Sequence, residues 1–143
     1  MFVFSFLKKV HKESKHYSYL NNVLILQTKL LYISNRLGTL IKGIVCINMI
    51  HISPWSCTRS LFEEARKYLD QSNFLMLYGP FLRKEKQTTV SNLNFDQSLK
   101  IQNPLWGIRN LENVNDVAFK NGFKLDNVFD MPANNLSVIY RLK

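Results

Sequence analysis

The alternation of apolar and polar positions divides the chain into two unequal parts. From Gly43 onward, unbroken apolar runs alternate with segments of helical spacing, the pattern of strands buried on both faces with helices laid across them. The stretch Gly43-Ile-Val-Cys-Ile-Asn-Met-Ile-His-Ile-Ser-Pro-Trp-Ser-Cys-Thr58 sets this frame: it begins almost wholly apolar, turns polar at Asn48 and His51, and breaks at Pro54. A parallel strand feeding a loop and a helix is expected there. In open α/β sheets ligands gather outside the carboxyl ends of such strands, so Asn48 to Trp55 mark a candidate site edge.

Ser56 is placed to cap the helix that follows, in which Leu61, Phe62, Ala65 and Leu69 form an apolar stripe. Its acids Glu63 and Glu64 precede Arg66 and Lys67, the order a helix dipole favours. Phe74-Leu-Met-Leu-Tyr78 reads as a second buried strand stopped by Gly79-Pro80, which completes a βαβ unit. Arg83 to Leu93 is polar, basic and aperiodic, and is expected to be either a lid or binding loop or a mobile surface loop. Asn94 and Gln97 have the form of a capping box for a short helix through Leu99, ended near Pro104. Asn110 caps a further helix with Leu111, Val114, Val117 and Ala118 on one face and Gly122 as its left-handed terminator. Phe123 to Phe129 and Leu136 to Leu142 are two last strands, and the segment between them is too short for a crossover helix, so they should be antiparallel.

Upstream of Gly43 the signal is weaker. Leu20, Val23, Leu24 and Leu31 suit a helix face, whereas Leu24, Leu26, Leu30 and Tyr32 suit a strand; a helix over Leu20 to Ile41 is the expectation. The 143 residues, 46% of them hydrophobic, are enough for one domain with a core. The formal charge of +9 is unevenly spread, with seven Lys/Arg and the single acid Glu13 in residues 1–42. Such an arm suits nucleic acid or an anionic membrane, but no aromatic-and-basic reading motif recurs around the lysines, and a poorly folded leader is the favoured reading. Two cysteines, Cys46 and Cys57, make no disulfide framework. Val23 to Ile33 is the nearest approach to a membrane span and is cut by Gln27, Thr28 and Lys29. The first residues lack the basic start of a signal peptide, so a cytoplasmic, alternatively nuclear, protein is expected.

Five short motifs, in order, carry a resemblance: Cys-Ile-Asn-Met-Ile-His-Ile-Ser-Pro from Cys46, Tyr-Gly-Pro-Phe from Tyr78, Ser-Asn-x-x-Phe-Asp from Ser91, Asn-Pro-x-Trp-Gly-Ile-Arg from Asn103 and Met-Pro-Ala-Asn-Asn from Met131. They resemble the methyltransferase-like protein 26 family, also described as domain of unknown function 938, which is similar to class I S-adenosylmethionine-dependent methyltransferases. The resemblance covers about residues 43–143. It implies an α/β, partial Rossmann-like methyltransferase fold, parallel strands plus a C-terminal antiparallel hairpin, without the N-terminal cofactor-binding strands. The acidic, glycine-rich turn and the ribose-binding acid that such cofactor sites use are missing: Glu13 is the sole acid and Gly38 the sole glycine before Gly43. Residues 1–42 are accordingly expected to be an unrelated basic leader, and 43–143 the C-terminal half of a methyltransferase-like domain. Asn110 stands where the family pattern has an Asp. A strand at Gly43 deprived of its neighbours would leave an open sheet edge, with self-association as the consequence unless the leader, through Val23 to Ile33, covers it.

The candidate residues each have two readings. His51 is a general base or a loop histidine held by a carbonyl; Asp96 is a catalytic carboxylate or a helix N-terminal acid. For substrate binding the candidates are Asn48, Tyr78, Trp106 and Arg109. Asn48 could equally cap a loop, Trp106 belong to the core, and Arg109 pair with Asp96. Cys46, His51 and Cys57 are too sparse for a closed zinc site. The full-length relatives are expected to transfer a methyl group from S-adenosylmethionine to an unread substrate, while no cofactor is expected for this chain. The alternatives are a non-catalytic interaction module with a basic arm, or a truncated isoform or gene-model fragment.

Overall fold

The computed structural model describes residues 42–143 in full and, as backbone only, residues 17–20 and 23–27. In chain order the elements are β1 (Tyr17–Leu20), β2 (Val23–Gln27), β3 (Gly43–Ile47), a 3₁₀ turn (Met49–His51), α1 (Trp55–Tyr68), β4 (Phe74–Leu82), α2 (Val90–Gln102), β5 (Arg109–Asn110), α3 (Leu111–Lys120), β6 (Phe123–Met131) and β7 (Asn135–Leu142). They build one mixed sheet in the order β1-β2-β3-β4-β7-β6, with β5 pairing the far end of β4. β2, β3 and β4 run parallel, and β7 is antiparallel to both β4 and β6. The α/β architecture, the β3-α1-β4 unit and the closing hairpin are those expected.

Alternation along the strands fixes which face is covered. Ile44, Cys46, Leu75, Leu77, Val138 and Tyr140 point to one side and are almost fully buried. Against them pack Leu61, Phe62 and Ala65 of α1 and Val114 and Ala118 of α3, the apolar stripes read from the sequence. Phe62 lies at the centre, edge-on to Phe123 at 5.6 Å and to Tyr140 at 5.2 Å. Burial of Tyr140 leaves its hydroxyl a partner, since it donates to Asn115 Oδ1 at 2.7 Å.

Several local expectations are corrected. The described parts of Leu20 to Ile41 are strand and not helix: Val23–Gln27 pairs residue for residue with Gly43–Ile47. A run that satisfies both periods is settled by its partner, and a parallel neighbour that satisfies its N–H and C=O groups outweighs propensity. β3 is therefore paired on both sides; the remainder of the leader lies outside the described residues. Ser56 is inside the first turn of α1, whose N-cap is Pro54 without a side-chain bond. β4 does not stop at Gly79-Pro80 but runs on to Leu82. This is tolerated because β3 ends opposite Tyr78, so the ladder on that side has already finished where the proline, which lacks an N–H, enters. The aperiodic connection is shorter than Arg83 to Leu93, because α2 begins at Val90, capped by Thr89, whose Oγ1 accepts from Asn92 N at 3.4 Å. Asn94 is thus not a cap but an interior position of a longer helix. By contrast, Asn110 caps α3 by accepting from the N–H groups of Glu112 and Asn113, and Gly122 takes the left-handed φ of 83°.

Candidate functional site

The carboxyl ends of β3, β4 and β6 share one edge of the sheet, and the five motifs meet there. Leaving β3, the chain turns at Asn48 in the left-handed conformation (φ 58°), which asparagine tolerates better than most residues. Asn48 N donates to Tyr78 O at 2.9 Å, which fixes the turn to the end of β4. Three residues on, His51 O accepts from Gly107 N at 2.9 Å, and Ile108 N donates to Asp96 Oδ1 at 2.8 Å. At the start of α2, Asn92 Nδ2 donates to Asn134 O at 3.3 Å, while Asn134 Nδ2 donates to Ser91 Oγ at 3.0 Å. Asn135 Nδ2 then lies 3.5 Å from Tyr78 Oη. The contacts close into a ring that returns to β4 where it began.

Two glycines permit this closeness. At Gly79 φ is 150°, and a Cβ there would stand 2.7 Å from both Asn48 Oδ1 and His51 Nε2. At Gly107 φ is 149°, and a Cβ would stand 2.9 Å from Asp96 Oδ1. Neither position admits a side chain without displacing a polar group of the ring.

His51 is only 1% exposed, with its ring edge-on to Phe81 at 5.2 Å, and neither ring nitrogen has a hydrogen-bond partner. Burial, followed by the nearby Arg109 charge, pushes its pKa down to about 3. In this geometry His51 is a neutral packing group, sealed from anything at the sheet edge, rather than a base at hand for a substrate. A pH dependence follows. Between pH 6.5 and about 5 the unfolded chain protonates His51 and the folded one does not, so stability should fall on acidification by about 1.4 kcal/mol per pH unit. Asp70 and Asp130, whose pKa values are lowered by Ser72 and Arg83 contacts respectively, add their own loss only at lower pH. Urea titrations of wild type and His51→Leu across that window should show a slope in the first and a flatter line in the second.

Arg109 does not pair with Asp96. Its Nε donates to Ile50 O at 2.8 Å, and Nη2 donates to Ser53 O at 2.5 Å and Leu105 O at 2.9 Å. Its guanidinium also stands 5.7 Å from the Trp55 ring centroid. It clamps the loop that carries His51 onto the segment that carries Trp106. Asp96 pairs instead with Lys100, one turn on along α2. That partner was readable from the i, i+4 spacing; the carbonyls that Arg109 holds and the crowding at Gly79 carry no sequence signal of their own. Tyr78 and Trp106 are half-buried at the same edge. Cys46 and Cys57 are free, with burial pushing the Cys46 thiol up to about 12. Among the described residues no cluster of three or more His, Cys, Asp or Glu side chains could hold a metal, and no helix is long and apolar enough to cross a membrane. A separate groove of about 500 Å³ lies between α1 and α3, lined by Trp55, Arg59, Glu63, Asp116 and Lys120 among others.

Comparison with solved structures places this arrangement in a known class of fold. The chain is similar to LaPhzM, with a TM-score of 0.62 and 13% identity over 71% of this chain and 30% of that one. It is similar to the mitomycin 7-O-methyltransferase MmcR, with a TM-score of 0.63 and 12% identity over 72% of this chain and 30% of that one. It is also similar to LepI, solved in complex with SAM, with a TM-score of 0.62 and 13% identity over 71% of this chain and 26% of that one. The fold is thus methyltransferase-like, and the chain spans less than a third of the length of these proteins. Residues 22–142 match the family described as protein of unknown function DUF938, a match that takes in β2 and every element after it. The chain belongs to the DUF938 family.

Proposed function

We propose that this chain is methyltransferase-related, similar to methyltransferase-like protein 26, and corresponds to the C-terminal half of a domain whose full-length relatives transfer a methyl group from S-adenosylmethionine. The observation that supports this reading is the mixed sheet, with parallel β3 and β4 and the β7-β6 hairpin, in a chain whose structure is similar to the mitomycin 7-O-methyltransferase MmcR over 72% of its length. The polar ring at the carboxyl edge is where a methyl acceptor would approach.

The described residues at that edge do not fit the cofactor. From Lys42 to Phe62 there is no carboxylate to accept from a ribose diol. The Asn48 N–H, the first main-chain donor beyond β3, is committed to Tyr78 O, and His51 is sealed. Alone, this chain should neither bind the cofactor nor transfer its methyl group. Methyl transfer needs the donor held in line with the acceptor, and loss of that alignment alone removes several orders of magnitude in rate. Isothermal titration at sub-millimolar S-adenosylmethionine, with a full-length relative as positive control, should give heat only for the control. Saturable one-to-one binding by this chain would overturn the reading.

A further inference from the structure

Asn121 and Gly122 form the corner between α3 and β6, and Asn121 is the only asparagine of the chain followed by glycine. A glycine carries no side chain to crowd its main-chain nitrogen, which is therefore the one best able to attack the side-chain amide that precedes it. The fold holds this pair out of reach of that reaction. Asn121 Nδ2 donates to Val117 O at 2.9 Å, which folds the side-chain amide back along the helix. Gly122 N donates to Phe119 O at 3.0 Å, so the attacking nitrogen and its proton are engaged. The Asn121 ψ of 11° turns that nitrogen towards Asn121 N, whereas a five-membered ring through Cγ needs it on the Cβ side. Beyond the corner, Gly122 O accepts from Lys143 N at 3.0 Å, which ties it to the residue after β7.

We infer that Asn121 is a self-modification site, converted by spontaneous deamidation when the C-terminal turn of α3 opens and spared while that turn is closed. Once it opens, Gly122 N gives its proton to solvent and bonds to Asn121 Cγ. The Cγ–Nδ2 bond breaks, and the nitrogen takes up a proton and leaves as ammonia. Water, which reaches the corner through the groove between α1 and α3 that Asn121 lines, then opens the five-membered imide. Cleavage at Cγ leaves aspartate. Cleavage at the main-chain carbonyl carbon leaves isoaspartate, in which the chain runs through the former side chain.

Neither product rebuilds the corner. A carboxylate has no N–H to donate to Val117 O, and it sets a negative charge at the end of α3 where the helix dipole is already negative. The isoaspartyl link also adds an atom to the backbone before Gly122, which displaces its C=O from Lys143 N. Conversion therefore records a past opening, and the chain that carries the record closes this corner less well than before.

The test is incubation of the full chain at neutral pH, native and in denaturing urea, with peptide mass spectrometry following the gain in mass of acid over amide at Asn121 and the share of isoaspartate. Asn121 should convert at least about tenfold faster in urea than in the native chain. Lys120→Gly, which weakens the exposed last residue of α3, should raise the native rate by about threefold and leave the rate in urea at the wild-type value. Conversion in the native chain as fast as in urea, no conversion in urea, or a native rate unmoved in Lys120→Gly would overturn the inference.

Discussion

Gly79→Ala should destabilise the protein by about 4 kcal/mol, a large share of the roughly 5–15 kcal/mol that a domain possesses. Two penalties act together. A backbone with φ at 150° strains any residue with a side chain, by about 1–3 kcal/mol. The new methyl would also meet Asn48 Oδ1 and His51 Nε2, each 2.7 Å away, and overpacking of this kind costs about 1–3 kcal/mol more. The histidine has little room to retreat, since its other side is packed edge-on against Phe81. Urea denaturation of the variant measures the sum. Adding His51→Ala in the same chain should return part of the steric share while leaving the backbone share in place, so the two substitutions should be non-additive. A Gly79→Ala chain within about 1 kcal/mol of wild type would show that Gly79 does not lie against Asn48 and His51 as closely as described.

Arg109→Ala should have the next largest effect, a loss of about 3 kcal/mol together with a local change that a merely thermodynamic role would not produce. Hydrogen bonds from charged donors contribute about 1.5–3 kcal/mol each, but those of one guanidinium are not additive, and the group is half exposed to solvent. Removing it leaves Ile50 O, Ser53 O and Leu105 O without their common donor. The loop they belong to should loosen, and the Gly107 N–H that donates to His51 O should lose protection from hydrogen exchange before the N–H groups of β4 do. With water admitted and the positive charge gone, the His51 pKa should rise towards its ordinary value, which an NMR titration of the imidazole would follow. Arg109→Lys should recover only a minor part of the loss, because an ammonium cannot present a planar fork to three carbonyls.

The architecture was legible where one local signal agreed with the tertiary outcome. The stripe Leu61, Phe62, Ala65 faces the sheet, Asn110 caps α3, and Phe123 and Leu142 open and close an antiparallel pair. The signals failed where a partner decided. Val23–Gln27 satisfied two periods and became a strand because β3 lies beside it. Pro80 looked like a stop, yet the ladder it would have interrupted ends two residues earlier. Thr89 outcompeted Asn94 because a cap works from just outside the helix, and nothing in the local pattern showed that α2 begins at Val90. For the site, the sequence brought out residues that do lie together, but not their duties. Asp96 and Arg109 were natural partners on paper, and each instead holds a main-chain segment in place. The histidine drew notice as a titratable side chain beside a strand end. The glycine that accommodates it, and the burial that silences it, follow only from the third dimension.

The position of β7 has a consequence for biosynthesis. On the ribosome β6 is made before β7, yet β6 reaches the rest of the sheet only through β7, which lies between it and β4. Until residues 135–142 leave the exit tunnel, β4 presents an open edge, and Leu125, Val128 and Phe129 have no strand to pair with. Nascent chains held in that interval carry two unsatisfied edges at once, and are the form most in need of a chaperone. Arrival of β7 then joins β4 and β6 in a single step, so this part of the sheet closes only after residues 135–142 have emerged.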